Sequence, residues 1–138
     1  MPYFKEMENN SRLDNKFHSK KGNLNVSDSS SVDKLSYDFI ESVASLGVKR
    51  TDDFNGEQQK GVGLYQFMNR NGKRSSAAYA FLEPQKNNPL LNLRLQTAVK
   101  KIIIENDIAI GVVVENRRGE EEKIFANKEI ILSAGAFI

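Results

Sequence analysis

The sequence contains no cysteine and only one histidine, His18. Without cysteine the chain can form neither a disulfide bond nor a thiolate metal site. A single histidine argues against a histidine-based zinc site and against an internal Ser–His–Asp triad, so we predict no metal site. There is also no run of about 18 apolar residues and no basic leader followed by an apolar segment. We therefore predict no membrane span, no signal peptide and a cytoplasmic location.

Charge of one sign is not concentrated anywhere in the chain. The 138 residues include 20 basic and 18 acidic side chains, giving a formal net charge of +2 that is spread along the sequence. Nucleic-acid-binding domains usually gather their basic residues on one face, so this distribution argues against a nucleic-acid partner. With 39% hydrophobic residues, the chain can bury a core and form one ordinary domain.

The first 31 residues are predominantly polar. Residues 1–10 predict a short helix with Pro2 near its start, where the missing N–H does no harm. Residues 11–31 predict a loop, interrupted by a short alternating strand over residues 22–27. His18 lies in this loop, and because imidazole titrates near neutral pH it is a candidate catalytic group as well as a structural one.

An amphipathic helix is predicted from residue 33 to residue 46. Apolar residues recur at a spacing of four, four and three, which places them in one stripe on a helix. Ser31 or Asp33 can accept hydrogen bonds from the first amide groups, and Gly47 can end the helix. We expect the stripe to pack in the core. Its members are Leu35, Phe39, Val43 and Leu46.

Adjacent carboxylates, Asp52 and Asp53, precede a glycine-containing segment. Consecutive residues in a turn point apart, so an Asx turn built on Asp53 and Asn55 is favoured over shared acid–base chemistry. Gly61 and Gly63 do not form a phosphate-binding G-x-G-x-x-G motif, since no apolar strand precedes them. They are expected to let the backbone pass close to another element or to a ligand.

A hairpin and a short helix are predicted to follow. Residues 64–68 have the composition of a strand, and Asn71-Gly72 can turn the chain back. Ser75 or Ser76 can then cap a two-turn helix over residues 77–82, which Pro84 ends.

The last third of the sequence predicts a three-stranded antiparallel meander. Its strands lie within residues 91–104, 108–115 and 123–126, and turn residues separate them. Residues 128–133 form a nearly continuous apolar run, typical of a strand buried in a parallel sheet. Small residues at positions 134–136 follow, and they leave room for a ligand at the sheet edge.

The motifs occur in the same order as in the glucose-methanol-choline (GMC) family of flavin-dependent alcohol oxidoreductases, which the chain resembles. Met1 to Glu8 resembles that family's L-P-Y-F-K-K-x-E, and His18 to Val26 resembles its H-G-x-x-G-P-L-x-V, a structural segment. Ser19 and Asn23 replace a glycine and a proline of that second motif. The motifs D-F-N-G, Q-x-G-x-G and R-x-S-A-x-x-F-L follow, and then the meander and its S-A-G-A ending.

The resemblance implies an α+β / α/β fold: a piece of a FAD-binding Rossmann-like domain, with an antiparallel meander plus one parallel strand, and part of a substrate-side region. Residues 1–90 would be a partial substrate-side and linking region, and residues 91–138 a partial FAD-binding domain. The position matching Val99 contacts adenine in the family, and the segment Ala134, Gly135 and Ala136 borders FAD. No catalytic residue is implied within the chain.

The activity implied by the resemblance is FAD-dependent oxidation of a small alcohol to an aldehyde or ketone, with hydride passing to the flavin. The family's G-x-G-x-x-G motif and its catalytic histidine have no counterpart in the 138 residues. We therefore expect an internal fragment that is inactive alone. Two alternatives remain open: a non-catalytic α+β binding or interaction module, and a nucleic-acid binder.

Overall fold

The computed structural model describes residues 2–135, which form a mixture of helices and strands with both parallel and antiparallel pairing. The predicted fold class is confirmed. The described residues divide into two compact units between Leu91 and Asn92, named here the amino-terminal and carboxy-terminal units. In chain order the elements are α1 Pro2–Met7, β1 Glu8–Asn10, β2 Leu24–Val26, α2 Lys34–Ser45, β3 Asn69–Arg70, β4 Lys73–Arg74, a π-helical turn Ala78–Leu82, a 3-10 turn Glu83–Gln85, β5 Thr97–Glu105, β6 Ile108–Asn116 and β7 Glu121–Phe125.

The amino-terminal unit begins with the predicted short helix, α1. Strand β1 follows at once and pairs in parallel with the predicted strand β2, so that Asn10 lies opposite Val26. Gly22 lies just before β2 and packs against the backbone of Met7. A Cβ added at Gly22 would lie 2.2 Å from the carbonyl carbon of Met7. Only glycine allows the two backbones to approach so closely.

Helix α2 has the predicted boundaries and caps. The Asp33 side chain accepts a hydrogen bond from the Leu35 amide at 2.8 Å, and Gly47 follows the last turn with φ at +87°. The prediction that its apolar stripe packs in the core is wrong for the described residues. No residue of α2 is buried, and Leu35 and Phe39 are exposed. Helical periodicity identifies an apolar face but does not determine which element covers it.

A short hairpin, β3–β4, forms around the predicted turn. Asn71 and Gly72 both have positive φ, 52° and 74°, as a tight hairpin turn requires. The strand predicted over residues 64–68 is reduced to a single bridge between Phe67 and Ser27. In place of the two-turn helix predicted over residues 77–82 there is the π-helical turn Ala78–Leu82, and the 3-10 turn Glu83–Gln85 follows it.

The carboxy-terminal unit contains the predicted meander, with the strand order β5–β6–β7 and antiparallel pairing throughout. Asn106 and Asp107 form its first turn with φ values of 50° and 62°. Val114 is its one buried apolar residue among those described. Gly111 lies close to β7, since a Cβ there would be 2.6 Å from the Ile124 carbonyl oxygen.

Two strand predictions in this unit are wrong. The first strand begins at Thr97 and not at residue 91, because Gln96 has a φ of 54° that interrupts an extended chain. The apolar run over residues 128–133 is not a strand, and Ile131 and Leu132 are exposed. A strand needs a neighbour to pair its backbone N–H and C=O groups, and none of the described residues pairs with this run.

Candidate functional site

Val99, the residue implied to contact adenine, lies on β5 opposite Val114. Its side chain is 62% exposed, so its methyl groups form an accessible apolar surface on the sheet. The pairing register shifts between Val99 and Lys101, which marks a β-bulge. Beside it, Lys100 Nζ lies 3.2 Å from a carboxylate oxygen of Glu115. An apolar side chain at such an edge can pack against the face of a flat ring.

Ala134 and Gly135 lie in an irregular, exposed segment after β7. Ala136, the third residue implied to border FAD, lies outside the described residues. Among the described residues neither strand pairing nor a hydrogen bond joins Val99 to Ala134 or Gly135. Their small side chains leave space beside the backbone, which is what a segment passing close to a cofactor requires. Val99, Ala134 and Gly135 are thus compatible in size and polarity with a nearby FAD, and their contact with it stays a prediction.

The amino-terminal unit contains a buried cluster centred on His18, which is only 4% exposed. His18 Nδ1 lies 2.9 Å from Glu8 Oε2, and Nε2 lies 3.0 Å from Asp53 Oδ2. The two carboxylates come from residues 10 and 35 positions away in the sequence. Each ring nitrogen therefore has a carboxylate as its hydrogen-bond partner.

A second polar centre, Asn10, continues this cluster and is 1% exposed. Its side-chain Nδ2 donates to Glu8 Oε1 at 3.0 Å and to Gln66 Oε1 at 2.8 Å. Its Oδ1 accepts from the backbone N–H groups of Arg12 and Leu13. Asn10 therefore fixes the loop after β1 and connects it to the segment around Gln66.

The Asx turn predicted at Asp53 is present, since the amide of Asn55 donates to Asp53 Oδ1 at 3.0 Å. Within this turn the ring of Phe54 stacks on Tyr65, with ring centroids 4.2 Å apart. Gly61 and Gly63 make the predicted close backbone approach, and the partner is the chain at residues 49–51. A Cβ on Gly63 would lie 2.0 Å from the Thr51 carbonyl oxygen.

A cavity of about 410 Å³ lies beside the His18 cluster. Glu8 and His18 form part of its polar wall. Its apolar wall consists of Phe4, Met7, Phe17, Leu24, Val26 and Met68. Among residues 2–135, no group of three His, Asp or Glu side chains is arranged to hold a metal ion. None of the helices in this part of the chain combines the length and apolar character needed to cross a bilayer.

Sequence reasoning identified His18 and the Asp53 turn separately but missed that they meet. It missed the roles of Glu8, Asn10 and Gln66 altogether. The one sequence feature that pointed to this cluster was the presence of a single histidine among polar residues. Contacts between side chains 35 or 56 positions apart have no local pattern, so neither propensity nor periodicity could identify them.

Comparison with protein families gives a match over residues 1–138 to the model described as GMC oxidoreductase. Among curated proteins, the oxygen-dependent choline dehydrogenase of Sinorhizobium fredii is 37% identical over 99% of this chain and 25% of its own length. The alcohol dehydrogenase [acceptor] of Pseudomonas putida is 34% identical over 96% of this chain and 24% of its own. The human mitochondrial choline dehydrogenase is 34% identical over 99% and 23%.

Among solved structures, pyridoxine 4-oxidase from Mesorbium loti superimposes with a TM-score of 0.82 at 27% identity, over 91% of this chain and 25% of that one. A FAD-dependent oxidoreductase from Chaetomium thermophilum has a TM-score of 0.83 at 19% identity, which shows a shared fold alone. That superposition includes 92% of this chain and 24% of the oxidoreductase. The chain thus spans about a quarter of the length of the relatives it matches.

Proposed function

Because the chain belongs to the GMC oxidoreductase family, we propose that it is part of a FAD-dependent enzyme that oxidises a small alcohol to an aldehyde or ketone. The observation that supports this most directly is the family match over the whole chain, accompanied by similarity to choline and alcohol dehydrogenases. FAD, when bound in such an enzyme, accepts a hydride from the alcohol carbon. The substrate is therefore a molecule with an oxidisable CH–OH group.

The carboxy-terminal unit would hold the adenine side of the cofactor. Val99 offers an exposed apolar surface on β5, and Ala134, Gly135 and Ala136 supply small side chains for a close approach. Apolar contact of this kind contributes affinity roughly in proportion to the area removed from water, about 25 cal/mol per Å². We expect the amino-terminal unit to form part of the substrate-side wall. The His18 cluster would hold the Asp53–Gly56 turn in place through its contact with Asp53.

Three further statements stay predictions. The 138-residue chain alone is expected to be inactive, since no residue in it is implied to act as the catalytic base. A cytoplasmic location is not decided by the relatives, one of which is mitochondrial. The absence of a nucleic-acid partner depends only on the even spread of charge.

The test compares a matched pair of variants. Both are made in the protein expressed from the longest continuous reading frame that encodes the chain. Val99→Glu places a charge where adenine is expected, and Ile104→Glu places one at a similarly exposed position of β5, 63% against 62%. We expect the first to weaken FAD binding about tenfold, equivalent to about 1.4 kcal/mol, and the second to leave it within about twofold.

FAD affinity is measured by titrating the flavin-free protein and following flavin fluorescence. The unsubstituted protein is then mixed anaerobically with choline and with simple primary alcohols, and loss of the oxidised-flavin absorption band shows hydride transfer. Equal losses of FAD affinity in both variants would show that Val99 is not part of the cofactor site. A protein that binds no flavin at all would favour the non-catalytic binding module.

A further inference from the structure

The His18 cluster contains more hydrogen-bond acceptors than a neutral imidazole can satisfy. Nδ1 is within 3.0 Å of both oxygens of Glu8, and Nε2 is 3.0 Å from both oxygens of Asp53. A neutral histidine ring donates from one nitrogen and accepts at the other. An ionised carboxylate only accepts, so a neutral ring would direct one lone pair at a carboxylate inside a buried site.

Both carboxylates also accept hydrogen bonds from neighbouring donors. Glu8 Oε2 accepts from the Ser19 amide at 3.2 Å, and Glu8 Oε1 accepts from Asn10 Nδ2 at 3.0 Å. Asp53 Oδ1 accepts from the Asn55 amide at 3.0 Å. Hydrogen bonds donated to a carboxylate favour its charged form, which favours the ring as the site of the shared proton.

We propose that His18 is held as an imidazolium and acts as a charged cross-link that positions the Asp53–Gly56 turn against strand β1. The cross-link joins Glu8 at the start of β1, the loop that contains His18, and Asp53. Each hydrogen bond joins an ionised donor to an ionised acceptor, the stronger class of protein hydrogen bond. His18 is thus a positioning residue, which acts through Glu8 and Asp53.

The cross-link also orients aromatic side chains beyond the cluster. Phe54 follows Asp53 directly and stacks on Tyr65. Tyr65 in turn precedes Gln66, which bonds Asn10 on the other side of Glu8. The path of contacts from Asp53 through His18, Glu8 and Asn10 therefore ends at Gln66, next to Tyr65. A closed ring of contacts holds the turn at two points, so loss of His18 charge would loosen both.

The first measurement uses the fact that His18 is the only histidine in the chain. Long-range ¹H–¹⁵N correlation spectra of the uniformly ¹⁵N-labelled 138-residue chain report the two ring nitrogens without ambiguity. Near neutral pH an unperturbed histidine is mostly neutral. We expect the folded chain to show hydrogen on both nitrogens and the chain in concentrated urea to show the neutral pattern.

A second measurement compares two neighbouring carboxylates. Asp53→Asn removes the charge facing Nε2, whereas Asp52→Asn changes an exposed carboxylate that makes no hydrogen bond in the described part of the chain. We expect the first to lower the ratio of folded to unfolded protein about tenfold or more, and the second to change it less than about twofold. Urea unfolding followed by circular dichroism gives both ratios.

Three results would overturn the proposal. One is a folded chain in which a single ring nitrogen carries hydrogen. Another is a histidine spectrum that is the same in buffer and in concentrated urea. The third is an equal effect of the two aspartate substitutions. The spectrum of the unsubstituted chain decides the charge state even where a variant does not fold.

Discussion

The two units are stabilised in different ways. In the amino-terminal unit the most deeply buried side chains are polar, Asn10 and Ser75, and they bond residues 56 and 50 positions away. In the carboxy-terminal unit β5, β6 and β7 pair only with their neighbours in sequence. The first unit therefore depends on a few long-range contacts, each costly to lose, and the second on many local ones.

The largest effect that tests this difference is expected at Gly63. In Gly63→Ala the new Cβ would lie 2.0 Å from the Thr51 carbonyl oxygen, which cannot retreat easily because hydrogen bonds link Thr51 and Lys49 to Val62. We expect a loss of about 3 kcal/mol in the free energy of unfolding, the upper range for overpacking. Amide hydrogen exchange of the amino-terminal unit measures it.

The matched control is Gly119→Ala in the turn between β6 and β7. Gly119 has a φ of +80° with nothing within 4 Å of the added Cβ, so only backbone strain opposes the change. That strain costs about 1–2 kcal/mol. If Gly119→Ala proved the more damaging of the two substitutions, the amino-terminal unit would not depend on its close backbone approach.

A smaller effect is expected at Val114, the buried apolar residue of the meander, which is 5% exposed. Val114→Ala removes two methyl groups from contact with its neighbours and should cost about 2 kcal/mol. Ile108→Ala, at an exposed position of the same strand β6, should cost less than about 0.5 kcal/mol. Exchange rates of the β5–β7 amides distinguish the two. Equal rates in both variants would show that the sheet has no core of its own.

Local features were predictable from the sequence, and long-range ones were not. The cap at Asp33, the turn at Asn71-Gly72 and the meander all follow from residues close together in the chain. The exposure of the α2 stripe and the missing strand over residues 128–133 depend on what lies opposite them, which a local pattern does not record. The sequence analysis missed the His18 cluster for the same reason, since loops separate its members in the chain.

The smallest effect is expected at an exposed ion pair, Lys86 with Glu83, which contrasts with the buried His18 cluster. Lys86 Nζ donates to Glu83 Oε1 at 2.5 Å, and this hydrogen bond, with the attraction between the charges, raises the pKa of Lys86 above its ordinary value. A raised lysine pKa adds stability that is present below the unfolded-state pKa and lost as pH rises through the folded-state pKa. Glu83→Gln should therefore return the pKa of Lys86 toward its ordinary value.

Because the Lys86 side chain is exposed, we expect Glu83→Gln to unfold like the unsubstituted chain between neutral pH and about pH 9. An NMR titration of the Lys86 side chain checks the pKa, and urea unfolding checks the stability. A loss of stability as large as that of Asp53→Asn would contradict the comparison, since solvent screening should make this pair weaker than the buried one. The same geometry of cation and carboxylate would then be equally stabilising at the surface and in the interior.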